Sequence, residues 1–240
     1  INDISGPEKR GRVSGFGIAA NYLGQFTGLL LVLPFSNGSL SVFGSAARAE
    51  TLLPAVIAFT ILALPMLIWF KEPKREKILF QFRSELKGLF SETKKLFLFP
   101  GIALFMLAYF LFNDAILTAS NNFPIFLEQV WAVSDTVKTY ILLGIIFTSA
   151  IGGLVSGIVA DRFGHKRTLI FIISGWIFIL PFIGFIHNFT LFVIATIVMG
   201  FWFGSNWAVS RSVMSYLAPP QGHNLAFAYF GLVVRSSSFV

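Results

Sequence analysis

The 240-residue chain has no cysteine. That excludes a disulfide framework and any thiolate metal site. Its three histidines, His165, His187 and His223, are far apart and fall in connections, so no metal site is expected. Charge is scarce. Asp, Glu, Lys and Arg make up 12% of the residues, against about 25% in a soluble domain. No Gly-x-x-x-x-Gly-Lys loop is present to cradle a nucleotide phosphate. Gly15, Gly17 and Ala20 match the spacing of a dinucleotide-binding turn. No strand precedes them and they open an apolar run, so the match is coincidental. No catalytic residue and no cofactor is expected, and the chain does not read as an enzyme. The chain begins at Ile1 without a signal-peptide pattern. It closes on Arg235 to Val240 inside an apolar run. Both ends read as cuts in a longer protein.

What the chain has is apolar length. It is 55% hydrophobic, with 29 Phe and a mean hydropathy of +0.77. Runs of roughly 20 apolar residues match the thickness of a bilayer. The class is an all-α, multi-pass membrane protein. Seven spans are expected: about Val13 to Phe35, Thr51 to Phe70, Leu98 to Leu117, Thr139 to Ala160, Thr168 to Ile186, Leu191 to Met214, and one from about Leu225.

The net charge of +7 does not point to nucleic acid, because the basic residues cluster in a few connections. The connection Lys71 to Lys95 holds eight Lys or Arg against Glu72, Glu76, Glu85 and Glu92. The turn after the fourth span holds Arg162, Lys166 and Arg167. Both are expected on the cytoplasmic side. The connections Ser36 to Glu50, Ser120 to Lys138 and His187 to Thr190 are expected outside. Alternation holds throughout, and the lipid bilayer is the expected partner. Within the long basic connection, Ile78, Leu79, Phe82, Leu86, Leu89 and Phe90 recur at helical spacing. They suit either an amphipathic helix on the bilayer surface or a solvated linker.

Glycines stand four apart at Gly24 and Gly28, Gly153 and Gly157, and Gly200 and Gly204. That spacing lets membrane helices approach closely, as a sliding contact or as static packing. Pro54, Pro65 and Pro181 are candidate kinks.

The segment Gly157 to Arg167 is the densest in chemistry. Gly157, Asp161, Arg162, Gly164, Lys166 and Arg167 form a short charged turn between two membrane-length runs. A carboxylate at a helix end can accept from the free backbone N–H groups that start a neighbouring helix, and can pair with Arg. Such a latch would hold one conformation and release another. The bland alternative is a basic turn that only sets topology. Asp114 is the sharpest single residue. A carboxylate at bilayer depth costs roughly 2.5–3.5 kcal/mol on insertion scales, and usually faces a cavity where it binds a proton, an ion or an amine. On the expected span it lies about 24 Å along the helix, where a solvated place near the outer interface competes. Arg211, late in the sixth span, suits a carboxylate or an anionic substrate group, or simple snorkelling. Asn21, Tyr22, Gln25, Asn206 and Trp207 are further candidates for lining a cavity, against packing or an interhelical hydrogen bond as the ordinary role of each.

Several of these segments, in order, resemble the vacuole-effluxer-like branch of the major facilitator superfamily, which includes autophagy-related amino-acid exporters. They are Ser14 to Gly24, Ala63 to Leu67, Ala108 to Thr118, Ala160 to Leu169, Gly204 to Ser212 and Ser236 to Phe239. Ala115 and Asn206 depart from the pattern, where Gly and Gln are expected. The resemblance implies a facilitator fold truncated at both ends and covering about helices 5 to 11. Residues 1–70 would be the last two helices of the N-terminal half, 71–97 the central linker, and 98–240 an incomplete C-terminal half. It also implies secondary active transport of a small solute by alternating access, with amino-acid export as the leading case. Asp114, Asn113, Arg211, Asn206, Tyr22 and Asn21 would bind substrate or a coupling ion such as a proton. The turn would gate. The expected location is the bacterial cytoplasmic membrane, with a vacuolar or other organelle membrane as the alternative. The competing function is a non-transporting sensor or lipid-handling scaffold.

Overall fold

A computed structural model describes residues 6–36, 38–42, 44, 50–69, 82–219 and 222–237. Their regular structure is entirely helical. After a short 3-10 turn at Pro7–Lys9 come α1 (Arg10–Ser36), α2 (Leu52–Trp69), α3 (Phe82–Leu98) and α4 (Ile102–Trp131). These are followed by α5 (Asp135–Phe163), α6 (His165–Phe185), α7 (Phe189–Leu217) and α8 (His223–Ser236). Among the described residues six helices, α1, α2 and α4 to α7, are long and apolar enough to cross a membrane. The seventh expected span is α8, with 14 described residues, shorter than a crossing requires.

The chain falls into two compact units, one comprising Ile1–Leu23 with Arg83–Val240 and the other Gly24–Phe82. In the smaller unit the buried Glu50 carboxylate, ahead of α2, accepts from the Ser41 hydroxyl at 2.9 Å and the Val42 amide at 2.8 Å. The larger unit is a helix bundle built on α5 and α7. Gly152, Gly200 and Gly204 make that seam possible. A methyl group at Gly204 would strike the Ser149 carbonyl, one at Gly152 the Phe201 carbonyl, and one at Gly200 the Thr148 hydroxyl. With no side chain in the way, hydroxyls reach across to backbone carbonyls. Thr148 donates to Ile197 at 2.7 Å, Ser149 to Gly200 at 2.8 Å and Ser205 to Gly152 at 3.0 Å. Small residues with interhelical Ser and Thr bonds replace the hydrophobic effect that lipid cannot supply.

The structure corrects the expected third span and the connection that follows it. α4 runs 30 residues, to Trp131, and the expected outer connection from Ser120 shrinks to residues 132–134. Two local effects keep Ser120 to Trp131 helical. Asn122 donates to the Thr118 carbonyl of its own helix at 2.8 Å, so its amide does not compete for another conformation. Phe123 and Leu127 continue the buried face of Ile116 and stack Phe123 on Phe192 of α7 at 6.2 Å. Ala132, in the left-handed region at φ 48°, ends the helix, and Ser134 caps α5 by accepting from Val137.

The basic connection is helical from Phe82 onward, so α3 is a real element; Lys71 to Lys77, Ile78 and Leu79 lie outside the described residues. Of the three glycine pairs, Gly153 with Gly157 and Gly200 with Gly204 make close helix contacts, whereas added methyl groups at Gly24 and Gly28 would meet nothing within 4 Å. The helices continue through Pro65 and Pro181.

Candidate functional site

At one end of the bundle the turn between α5 and α6 is a single residue, Gly164, with φ 97°. A side chain would strain that backbone. The reversal leaves Asp161 in the last turn of α5, two residues before its end. Its carboxylate accepts from the backbone N–H of Gly11 at 2.7 Å and of Arg12 at 2.9 Å. The Arg12 Nε lies 3.8 Å from the same carboxylate, whose side chain is only 5% exposed. Gly11 and Arg12 occupy the first turn of α1, where N–H groups have no intrahelical partner and the helix dipole is positive. Asp161 thus serves as a cap supplied by another helix.

Glycines bring the two helices close enough. A methyl group at Gly157 would run into the Gly11 carbonyl, and one at Gly15 would come within 2.5 Å of the Gly153 carbonyl. The start of α1 is also tied to α7. Arg10 donates to the Ser215 carbonyl at 2.8 Å and Ser14 to the Ala208 carbonyl at 2.7 Å. From the other side of the turn, His165 Nδ1 and the Ser212 hydroxyl share a bond of 2.8 Å.

The structure therefore brings Gly157 and Asp161 to a shared contact and leaves Arg162, Gly164, Lys166 and Arg167 exposed. The cationic partner of Asp161 is Arg12. Arg10, Gly11, Arg12, Gly15 and Ser14 were missing from the sequence reading of this site. The four-residue spacing of Gly11 and Gly15, equal to that of Gly153 and Gly157, was the available signal.

The second group of candidates lies deeper. Asp114 is the thirteenth of the 30 residues of α4, so it sits near the middle of the helix and not at its outer end. The depth expected from the shorter span is corrected accordingly. It is half-buried, and its Oδ1 is enclosed without a hydrogen-bond partner among the described residues. Beside it Asn113 is fully buried and donates to the Ser237 hydroxyl at 2.7 Å, just past α8.

α4 and α7 run antiparallel, with Phe123 on Phe192 and Gly101 beside Leu217. That register sets Tyr109 and Asn113 level with Asn206 and Ser210. All four are fully buried. The Tyr109 hydroxyl, Asn113 Oδ1, both amide atoms of Asn206 and the Ser210 hydroxyl have no partner among the described residues. Each such group costs about 1–3 kcal/mol when left unpaired. Arg211 is exposed. Tyr22 is buried edge-on against Phe203 at 6.3 Å, and Asn21 is exposed. A cavity of about 60 Å³ between α4, α5, α6 and α7 is lined by Ile116, Ser120, Phe123, Trp176, Met199 and Phe203 among others. None of the candidate residues lines it.

Comparison with known proteins decides the family. The sequence model described as "Vacuole effluxer Atg22 like" matches residues 3–240. The chain belongs to that family. It is 27% identical over 166 residues to autophagy-related protein 22 of Saccharomyces cerevisiae strain ATCC 204508 / S288c, covering 64% of this chain and 31% of that protein. It is 30% identical over 172 residues to autophagy-related protein 22 of Pichia angusta, covering 64% and 30%. The chain thus spans about a third of the length of the curated relatives it matches. Family and helices together make it an integral, multi-pass, all-α membrane protein. The family match takes in both the Asp161 contact and the polar level of Tyr109 to Ser210.

Proposed function

We propose that the chain is part of a secondary active transporter that exports a small solute, an amino acid in the leading case, by alternating access. The observation that carries the reading is the Asp161 contact. A nearly enclosed carboxylate holds two backbone N–H groups and an arginine of another helix, across a seam of four glycines. Alternating access needs a contact that is strong in one state and can be left in another. A charged cap on a smooth glycine face meets that need, because the helices can slide without side chains unlocking. If the basic connection divides two halves, α1 belongs to the first and α5 to the second, and the latch spans the boundary that must move. Arg162, Lys166 and Arg167 then act as the exposed basic rim of that end and not as members of the latch.

Asp114, Asn113, Asn206, Arg211, Tyr22 and Asn21 are proposed to serve substrate or a coupling ion. Asp114 is the candidate proton site, since its mid-helix carboxyl oxygen lacks a partner among the described residues. The family description favours this reading over a non-transporting sensor or scaffold. It and the two yeast relatives also support a vacuolar or other organelle membrane over the bacterial cytoplasmic one.

The test is transport by the full-length protein in proteoliposomes, offered a pool of amino acids and peptides. Uptake or efflux driven by a pH gradient, lost in Asp114→Asn while the protein still elutes as a folded species, is the expected result. Equal transport by Asp114→Asn would remove Asp114 from coupling, and no transport of any pool member would count against amino-acid export.

A further inference from the structure

α3 separates polar from apolar residues on opposite faces. Leu89, Thr93, Leu96, Phe97 and Phe90 fall on one side of the helix, and Ser91, Glu92, Lys94 and Lys95 on the other. Only part of the apolar side is used by the protein itself. Leu96 is buried in a cluster with Ile102, Met106, Met214 and Phe230. Thr93 Oγ1 lies 2.9 Å from the Tyr229 hydroxyl of α8, and the Phe97 ring stands edge-on to Tyr229 at 5.2 Å.

One turn further back, Leu89 and Phe90 are outside this packing, and Phe90 is 74% exposed. Exposed apolar residues resume at Leu104, Leu107 and Leu111, which share one flank of the membrane-length α4. Lys94 and Lys95 are exposed on α3. The connection that includes α3 carries eight basic residues against four acidic ones. An exposed apolar edge on a helix that leads directly into a membrane-length one, bordered by lysines, matches the surface of a bilayer that contains anionic lipid.

We propose that α3 lies in the headgroup layer of an anionic membrane surface, with Leu89 and Phe90 inserted and Lys94 and Lys95 at the phosphates. The helix is tied to α8 through Tyr229 and to α4 through residues 99–101. Anionic lipid seated under α3 therefore bears on the position of both helices. This does not depend on what the protein transports, or whether it does.

These 240 residues contain no cysteine; with cysteines elsewhere in the full-length protein replaced by serine, single cysteines at Phe90 and, on the opposite face, at Ser91 give unique labelling sites. The full-length protein is labelled with an environment-sensitive fluorophore at each site in turn. It is then reconstituted into phosphatidylcholine vesicles with or without phosphatidylglycerol, with brominated acyl chains as quencher. The expected result is quenching at Phe90→Cys at least about twofold above that at Ser91→Cys, greater still with the anionic lipid. Reversing charge at Lys94→Glu and Lys95→Glu should weaken seating by roughly tenfold or more, since each lysine near an anionic surface counts about fivefold.

Leu89→Cys repeats the measurement if Phe90→Cys fails to fold. Equal quenching on the two faces would overturn the proposal. So would a blue-shifted Phe90 or Leu89 label that brominated lipid does not quench, which would show that protein covers this face. Insertion indifferent to both anionic lipid and charge reversal would overturn the headgroup assignment.

Discussion

The two ends of α5 each carry a charged contact, and they differ in nearly every respect. At its start, Lys138 Nζ meets Glu128 at 2.9 Å and Asp135 at 3.1 Å. Both carboxylate side chains are 70% exposed, and all three residues lie within 11 positions of one another. At its far end, Asp161 is 5% exposed and is held by residues about 150 positions away. The first contact joins a largely covered Lys138 side chain to two solvated carboxylates and closes a turn that Ser134 and Ala132 already define. The second contact satisfies two donors at a helix start, one at buried Gly11 and one at exposed Arg12, and it joins helices far apart in the chain. Charged contacts whose hydrogen bonds are of similar length can therefore be worth very different amounts. Burial and the identity of the donors decide which.

The largest effect should come from filling the seam under the Asp161 contact. Gly157→Val sets branched carbons against the Gly11 carbonyl and the Gly15 Cα, both backbone atoms that cannot swing aside. Overpacking of this kind costs about 1–3 kcal/mol or more. Size-exclusion chromatography in detergent should show little folded protein, whereas Gly24→Val, where nothing lies within 4 Å, should elute as the parent does.

Next is Asp161→Ala, which leaves two N–H groups and Arg12 without their acceptor. A loss of about 2 kcal/mol follows from charge-assisted bonds to a helix start, read as a lower thermal midpoint in the same detergent. Asp161→Asn keeps an acceptor oxygen and should fall between. Ser205→Ala removes one bond to the Gly152 carbonyl, which stays within the helix ladder, so about 1 kcal/mol is expected. The smallest effect belongs to Lys138→Ala, whose midpoint should be unchanged within error. A Lys138→Ala loss as large as that of Asp161→Ala would break the comparison.

Much of this was legible in the sequence where a local rule had no rival. Six of the seven expected spans have helices within a few residues of the expected places, because apolar length has one meaning at this composition. The tight turn at Gly164 and a carboxylate capping the start of another helix also followed from residue type. Three features did not. The length of α4 was hidden because Ser120, Asn121 and Asn122 look like a connection. Only the periodic burial of Phe123 and Leu127 against α7 makes them helix. The partner of Asp161 was hidden because Gly11 and Arg12 are about 150 residues away in sequence, and long-range pairing leaves no local mark beyond matched glycine spacing. The polar level of Tyr109, Asn113, Asn206 and Ser210 depends on the register of two antiparallel helices. Periodicity within either one cannot supply that.

The central claim is that the Asp161 contact holds one state and opens in another. Spin labels on the exposed Lys9 and Arg162, as cysteine variants of the full-length protein, flank it without touching it. Distances between them can be read by pulsed electron paramagnetic resonance in nanodiscs, with and without transported solute. The account predicts a short-distance population that loses weight to a longer one when solute is added, and that Asp161→Ala depletes without solute. A single short distance, unmoved by solute and unmoved by Asp161→Ala, would contradict it.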